Sequence, residues 1–237
     1  MNIVTIDPST TCTGICINGE QMIAVVQESL AVSKKGDFTK WFNLASSSCG
    51  IETYQSYETK KKFTDNEIEK LVYYQTIAKI VTSIIERHCK PDDTTVYIEG
   101  FSYSSTGNLI DLVAFSTLIR SYLVNNGYHL VVVPPMSLKM ETAKLIYPAV
   151  DVKNRDRDPN LKPLKPKIMY LNPDDIPGGK FKKHEMLQAI KDSNFNDDWK
   201  SFIDEHYSDI SGMKSIPPPI ADLNDAYLLY QCFKNNK

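Results

Sequence analysis

The chain has 237 residues, 42% of them hydrophobic and 24% charged, with a formal charge of −2; this is ordinary for a globular protein and enough for one well-packed domain carrying insertions. No stretch approaches the roughly 20 apolar residues of a membrane span, and the opening Met1-Asn2-Ile3-Val4-Thr5-Ile6-Asp7 lacks the basic start of a secretory leader, so a cytoplasmic location is expected. The five cysteines (Cys12, Cys16, Cys49, Cys89, Cys232) are scattered, contain no Cys-x-x-Cys, and have no histidine at finger spacing, which argues for reduced thiols and against a structural zinc site.

Met1 to Asp7 reads as a buried strand (Ile3, Val4, Ile6) stopped by Asp7-Pro8. Cys12 to Ile17 alternates as a second strand, Asn18-Gly19 supplies a tight hairpin because both residues tolerate positive φ, and Met22 to Gln27 returns as a third. Residues 33 to 62 are polar and irregular and read as a loop or a poorly specified strand with an insertion. Thr64-Asp65-Asn66-Glu67 has the form of a capping box, followed by helical spacing from Ile68 to His88. Thr94 to Glu99 is β-branched and aromatic, a strand ending on a carboxylate. A helix over 107–125, a strand from His129 to Val133, and a helix from Met136 to Tyr147 with Ser137 as a possible cap follow. The stretch 145–179, rich in proline and charge, reads as a second insertion. Helices over Lys180 to Lys191, about Asp197 to Tyr207, and Ala221 to Phe233 complete the chain.

Charge is unevenly spread. From Lys139 to Lys183 there are eleven basic and six acidic residues, a local charge of +5, so the remainder stands near −7. Four acids fall at element ends: Asp7 closes the first strand, Glu99 closes the fourth, and Asp222 and Asp225 lie three apart in the first turn of the last helix, on one face. Each has an ordinary reading alone: a turn former at Asp7, a solvated strand end at Glu99, a helix cap at Asp222, and dipole complements at both helix positions. Held together, two such charges about 4 Å apart repel by roughly 4 kcal/mol at an effective dielectric near 20. Divalent cations that prefer hard oxygen ligands would relieve that repulsion.

Three segments in register carry a family resemblance. Ile3 to Gly14, with Asp7-Pro8 and then Thr13-Gly14, resembles the opening of RuvC-type Holliday junction resolvases, where a strand ends Gly-Ile-Asp-Pro-Gly. Val96-Tyr97-Ile98-Glu99 is similar to their second acidic strand, and Ala221-Asp222-Leu223-Asn224-Asp225-Ala226 to their Asp-x-x-Asp helix. The resemblance implies an α/β RNase H-like fold: a mixed five-stranded sheet, made of a three-strand antiparallel meander plus two parallel strands, flanked by helices. It implies that Asp7, Glu99, Asp222 and Asp225 are catalytic ligands of two Mg²⁺ or Mn²⁺ ions in a metal-dependent endodeoxyribonuclease acting on branched DNA. Four-way junctions are the expected substrate, and a homodimer follows from the need for two symmetric cuts. Lys139, Lys182 and Lys183 correspond to the family's basic stretch and are candidate phosphate contacts, while Phe101 and Tyr103 flank the place of its junction-facing aromatic. The chain departs from the family at Ser9, in the displaced aromatics, and in the 145–179 insertion.

Two other classes compete. An actin-like kinase or ATPase also opens with a strand, an Asp and Thr-Thr, but its phosphate loop needs glycine, and none precedes Gly14 here. A branched-DNA binding module without catalysis, or a broader flap nuclease, would share the fold.

Overall fold

The computed structural model describes residues 1–31, 38–101 and 109–235. β1 (Asn2–Asp7), β2 (Cys12–Ile17) and β3 (Gln21–Gln27) form the antiparallel meander. Asn18 and Gly19 both take positive φ at the turn between β2 and β3. Short helices α1 (Glu28–Ala31) and α2 (Phe38–Ala45) lead to β4 (Gly50–Tyr54). The long helix α3 (Phe63–His88) precedes β5 (Thr94–Glu99), followed by α4 (Leu109–Asn125), β6 (His129–Val133) and α5 (Pro135–Ile146). A hairpin of β7 (Ala149–Asp151) and β8 (Ile168–Tyr170) leads into α6 (Lys183–Asp192), α7 (Asp198–Ser211) and α8 (Ile220–Phe233).

The main sheet runs β4-β3-β2-β1-β5-β6. β5 lies parallel to β1, and β6 parallel to β5, so the meander plus two parallel strands is the RNase H-like arrangement. The sheet has six strands rather than the expected five. β4 pairs parallel with β3 at the edge, inside the stretch read as irregular. Its five residues carry no strong alternation, and the ladder with β3 and the burial of Tyr54 decide its conformation; local propensity is a weak guide for such an edge strand.

Alternation along the strands sorts side chains into two cores. Val4, Ile6, Ile15, Val25, Val96 and Ile98 pack against α3 and α4 through Ile77, Val81, Ile85, Phe115 and Ile119. On the other face Ile3, Cys12, Cys16, Ala24 and Tyr97 meet α8 and, behind it, the aromatic layer of Trp41, Trp199 and Phe202. Helix α8 is therefore covered on both sides, and ten of its fourteen residues are buried.

Several local expectations are corrected. Thr64 does not cap α3: the helix starts at Phe63 after Lys62, without a side-chain cap, and Asn66 Oδ1 accepts from the Lys60 amide at 3.1 Å instead. Ser137 lies inside the first turn of α5, since Pro135 with its preset φ opens the helix. Asp222 is not the cap of α8, which begins at Ile220 after Pro219. The 145–179 insertion is not a bare loop. Asp151 Oδ1 accepts from the Lys167 amide at 2.9 Å, Asn154 bonds both ways with Leu164, and Arg155 pairs twice with Asp175, so short-range polar contacts order what apolar periodicity did not announce.

Candidate metal centre

The parity of β1 and β5 aims the acids. Thr5 and Asp7 share one face of β1, and Thr5 Oγ1 donates to Ala226 O of α8 at 2.6 Å. Tyr97 and Glu99 share the corresponding face of β5, and Tyr97 stacks on Phe233 of α8 with ring centroids 5.3 Å apart. Because Ile6 is in register with Ile98, Asp7 and Glu99 emerge side by side at the carboxyl ends of neighbouring parallel strands. One oxygen each from Asp7, Glu99 and Asp225 lie within 4.8 Å of one another. Asp222 is not part of that trio. It sits one turn earlier on α8, beside the Cys12 thiol.

Gly14 explains why α8 can approach. It pairs with Asp7 across the β1–β2 ladder, and a Cβ there would stand 2.2 Å from Asp222 O and 2.9 Å from Leu223 N. Only glycine admits the first turn of α8 at this distance. The strand-to-strand loop after Asp7 is braced as well: Thr13 Oγ1 donates to Ser9 O at 2.9 Å, and the hydroxyls of Tyr54 and Tyr73 both donate to Thr10 O. Trp199 Nε1 donates to Asn224 Oδ1 at 3.0 Å, fixing α8 from behind.

The electrostatics are those of charges removed from water. Burial, opposed by Lys183 and reinforced by Glu99, Asp225 and Asp222, raises the Asp7 carboxyl well above its usual range. Burial and the Asp225 charge push Glu99 up to about 7. Burial likewise raises Asp222. Asp225 Oδ1 is buried and has no hydrogen-bond partner, a costly condition for a carboxylate oxygen.

Lys183, at the first position of α6, enters this cluster. Its Nζ donates to Asp225 Oδ2 at 2.7 Å and lies 3.5 Å from Asp7 Oδ2 and 3.6 Å from Asp222 Oδ1. Burial alone would lower its pKa, but the charges of Asp225, Asp7 and Asp222 outweigh it and hold the ammonium well above its ordinary value. The residue expected as a phosphate contact therefore also stands as counterion to the acids. The other expected contacts lie apart. Lys139 on α5 is half-buried and acts on Glu99 through its charge. Lys182 is exposed, its backbone N–H donating to Glu185 Oε2 at 2.7 Å. Phe101 is half-buried with the Arg120 guanidinium 5.3 Å over its ring, and Tyr103 lies outside the described residues. Two members of this site are not signalled as such by the sequence: Gly14 as the close-approach residue, and Cys12 beside Asp222. A glycine inside an otherwise apolar strand was the available signal for the first.

Among the described residues no helix is long and apolar enough to cross a membrane. The five cysteines are unpaired thiols. No known family's sequence model matches the chain, and no curated protein matches it in sequence. In structure the chain is similar to RuvC of Thermus thermophilus at 12% identity, with all of this chain and 96% of that chain covered and a TM-score of 0.43. It is likewise similar to T. thermophilus RuvC in complex with Holliday junction substrate, at 11% identity, the same coverage and a TM-score of 0.43.

Proposed function

We propose that the chain is a metal-dependent endonuclease that hydrolyses phosphodiesters in branched DNA, with four-way junctions as its substrate. The observation that carries the reading is the convergence of Asp7, Glu99 and Asp225 within 4.8 Å, on the ends of two parallel strands and one helix, with Asp222 one turn away. The donor set fits a hard divalent cation. All four are oxygen ligands, and the partnerless Asp225 Oδ1 is a buried oxygen that a cation would satisfy. A bound pair of Mg²⁺ or Mn²⁺ ions would supply Lewis-acid activation of a water and charge stabilisation for a phosphodiester's leaving oxygen. Asp7, Glu99 and Asp225 would hold the ions, with Asp222 closing the set from the next turn. The protein's own part is positional. The sheet fixes Asp7 and Glu99, Gly14 and Thr5 seat α8 against them, and Lys139 and Lys182 hold the DNA backbone without reading its sequence. Phe101, braced by Arg120, is proposed to meet bases near the branch point.

Paired cutting needs two copies. The amino-terminal half of α3 is apolar on both faces: Tyr73, Tyr74 and Ile77 pack inward, whereas Ile68, Leu71 and Val72 are exposed on the opposite side. That outer stripe supports a homodimer. The function is tested by offering labelled four-way junction, flap, splayed-arm and linear duplex DNA with Mg²⁺ or Mn²⁺. Paired, ligatable nicks in the junction, lost in Asp7→Asn, are expected. Cleavage of flaps alone would make it a broader branched-DNA nuclease, and absence of any Mn²⁺ binding sensitive to Asp7→Asn would refute a metal-dependent reading.

A further inference from the structure

We propose that Lys183 is a displaceable internal cation: its ammonium occupies the acid cluster in the metal-free protein and leaves when a divalent ion enters. The inference rests on the metal-centre reading above and concerns what the cluster does before metal arrives. Three proposed ligands lie within 2.7–3.6 Å of Lys183 Nζ, and Ala221 O lies 3.5 Å away. An ammonium so placed stands among the very oxygens a metal must bind, and both charges cannot share that space at a few ångströms without strong repulsion.

The lysine is built to move. It is the first residue of α6, with 43% of its side chain exposed, whereas the acids keep only 10–15%. The backbone of α6 is anchored independently. Met186, Leu187, Ala189 and Ile190 are buried, and Glu185 closes the helix start on the Lys182 amide. A four-carbon stem can therefore swing the ammonium outward without disturbing the helix.

Two measurements test the exchange, and neither reads activity. Isothermal titration with Mn²⁺ compares the wild type with Lys183→Met, with Asp7→Asn locating the signal. Removal of the competing charge is expected to tighten Mn²⁺ binding about tenfold or more. Amine acylation of the wild-type protein, read by mass spectrometry, follows Lys183 with and without saturating Mn²⁺. Its labelling is expected to rise about threefold or more as the ammonium leaves its carboxylate partners, while Lys182 stays constant. The acylation experiment needs no variant and stands even if Lys183→Met folds poorly. Mn²⁺ binding that is abolished by Asp7→Asn, together with unchanged Lys183 labelling or unchanged affinity in Lys183→Met, would overturn the exchange and leave the metal centre intact. No Mn²⁺ binding in any form would overturn both.

Discussion

Gly14 offers the sharpest test of how the site is assembled, because the perturbation is a single uncharged methyl group that leaves every site carboxylate in place chemically. In Gly14→Ala the new Cβ would stand 2.2 Å from Asp222 O and 2.5 Å from Asp222 C. Both are backbone atoms, so no side chain can rotate away. Relief to an ordinary contact needs α8 to retreat by about 1 Å, in a core packed at crystal-like density. Overpacking of this kind costs about 1–3 kcal/mol, and a domain of this size loses roughly 2–4 °C in Tm per kcal/mol. A Tm drop of roughly 2–12 °C is therefore expected. The retreat also carries Asp222 and Asp225 away from Asp7 and Glu99. Misplacement by about 1 Å typically costs on the order of a hundredfold in rate, so Mn²⁺ affinity and junction cleavage should fall well beyond what the lost stability explains. The assays are thermal unfolding with and without Mn²⁺, Mn²⁺ titration, and single-turnover cleavage at a temperature where the variant is fully folded. A variant with unchanged Tm and unchanged Mn²⁺ affinity would refute the claim that this glycine seats the helix.

Two further outcomes follow from the same geometry. Glu99 is pushed up to about 7 by burial and the Asp225 charge, so the folded state favours its protonated form. That contribution is fully present below the unfolded value near 4.5 and is lost as pH rises through about 7. Chemical denaturation in EDTA should show wild-type stability declining between these pH values relative to Glu99→Gln, with Mn²⁺ suppressing the decline. A wild-type minus Glu99→Gln difference that is flat or rising with pH would count against it. Leu71, 49% exposed on the outer stripe of α3, is placed at the proposed dimer face. Leu71→Asp should yield a monomer by analytical ultracentrifugation with Tm within a few degrees of wild type measured below the dimerisation range, and an unshifted sedimentation coefficient would remove this face as the interface.

The sequence by itself determined five of the six strands of the main sheet and offered the candidate acids. Buried runs at Ile3–Ile6, Val25–Val26 and Val96–Ile98, the Asn18-Gly19 hairpin, and the period of α3 are local signals, set by side-chain alternation and turn stereochemistry. Asp7 and Glu99 were legible as candidates because each closes a strand, and Asp222 and Asp225 because they stand three apart on the last helix. What the tertiary structure alone decided concerns distances between segments remote in sequence. It placed β4 at the sheet edge, where pairing with β3 rather than propensity supplies the order. It brought one oxygen each of Asp7, Glu99 and Asp225 within 4.8 Å, a trio that does not include Asp222 one turn earlier on α8. It also drew Lys183, one lysine in a basic stretch, 176 residues along the chain from Asp7 into the carboxylate cluster. Coulomb energy depends on separation in space and on burial, and a one-dimensional pattern of charge carries neither.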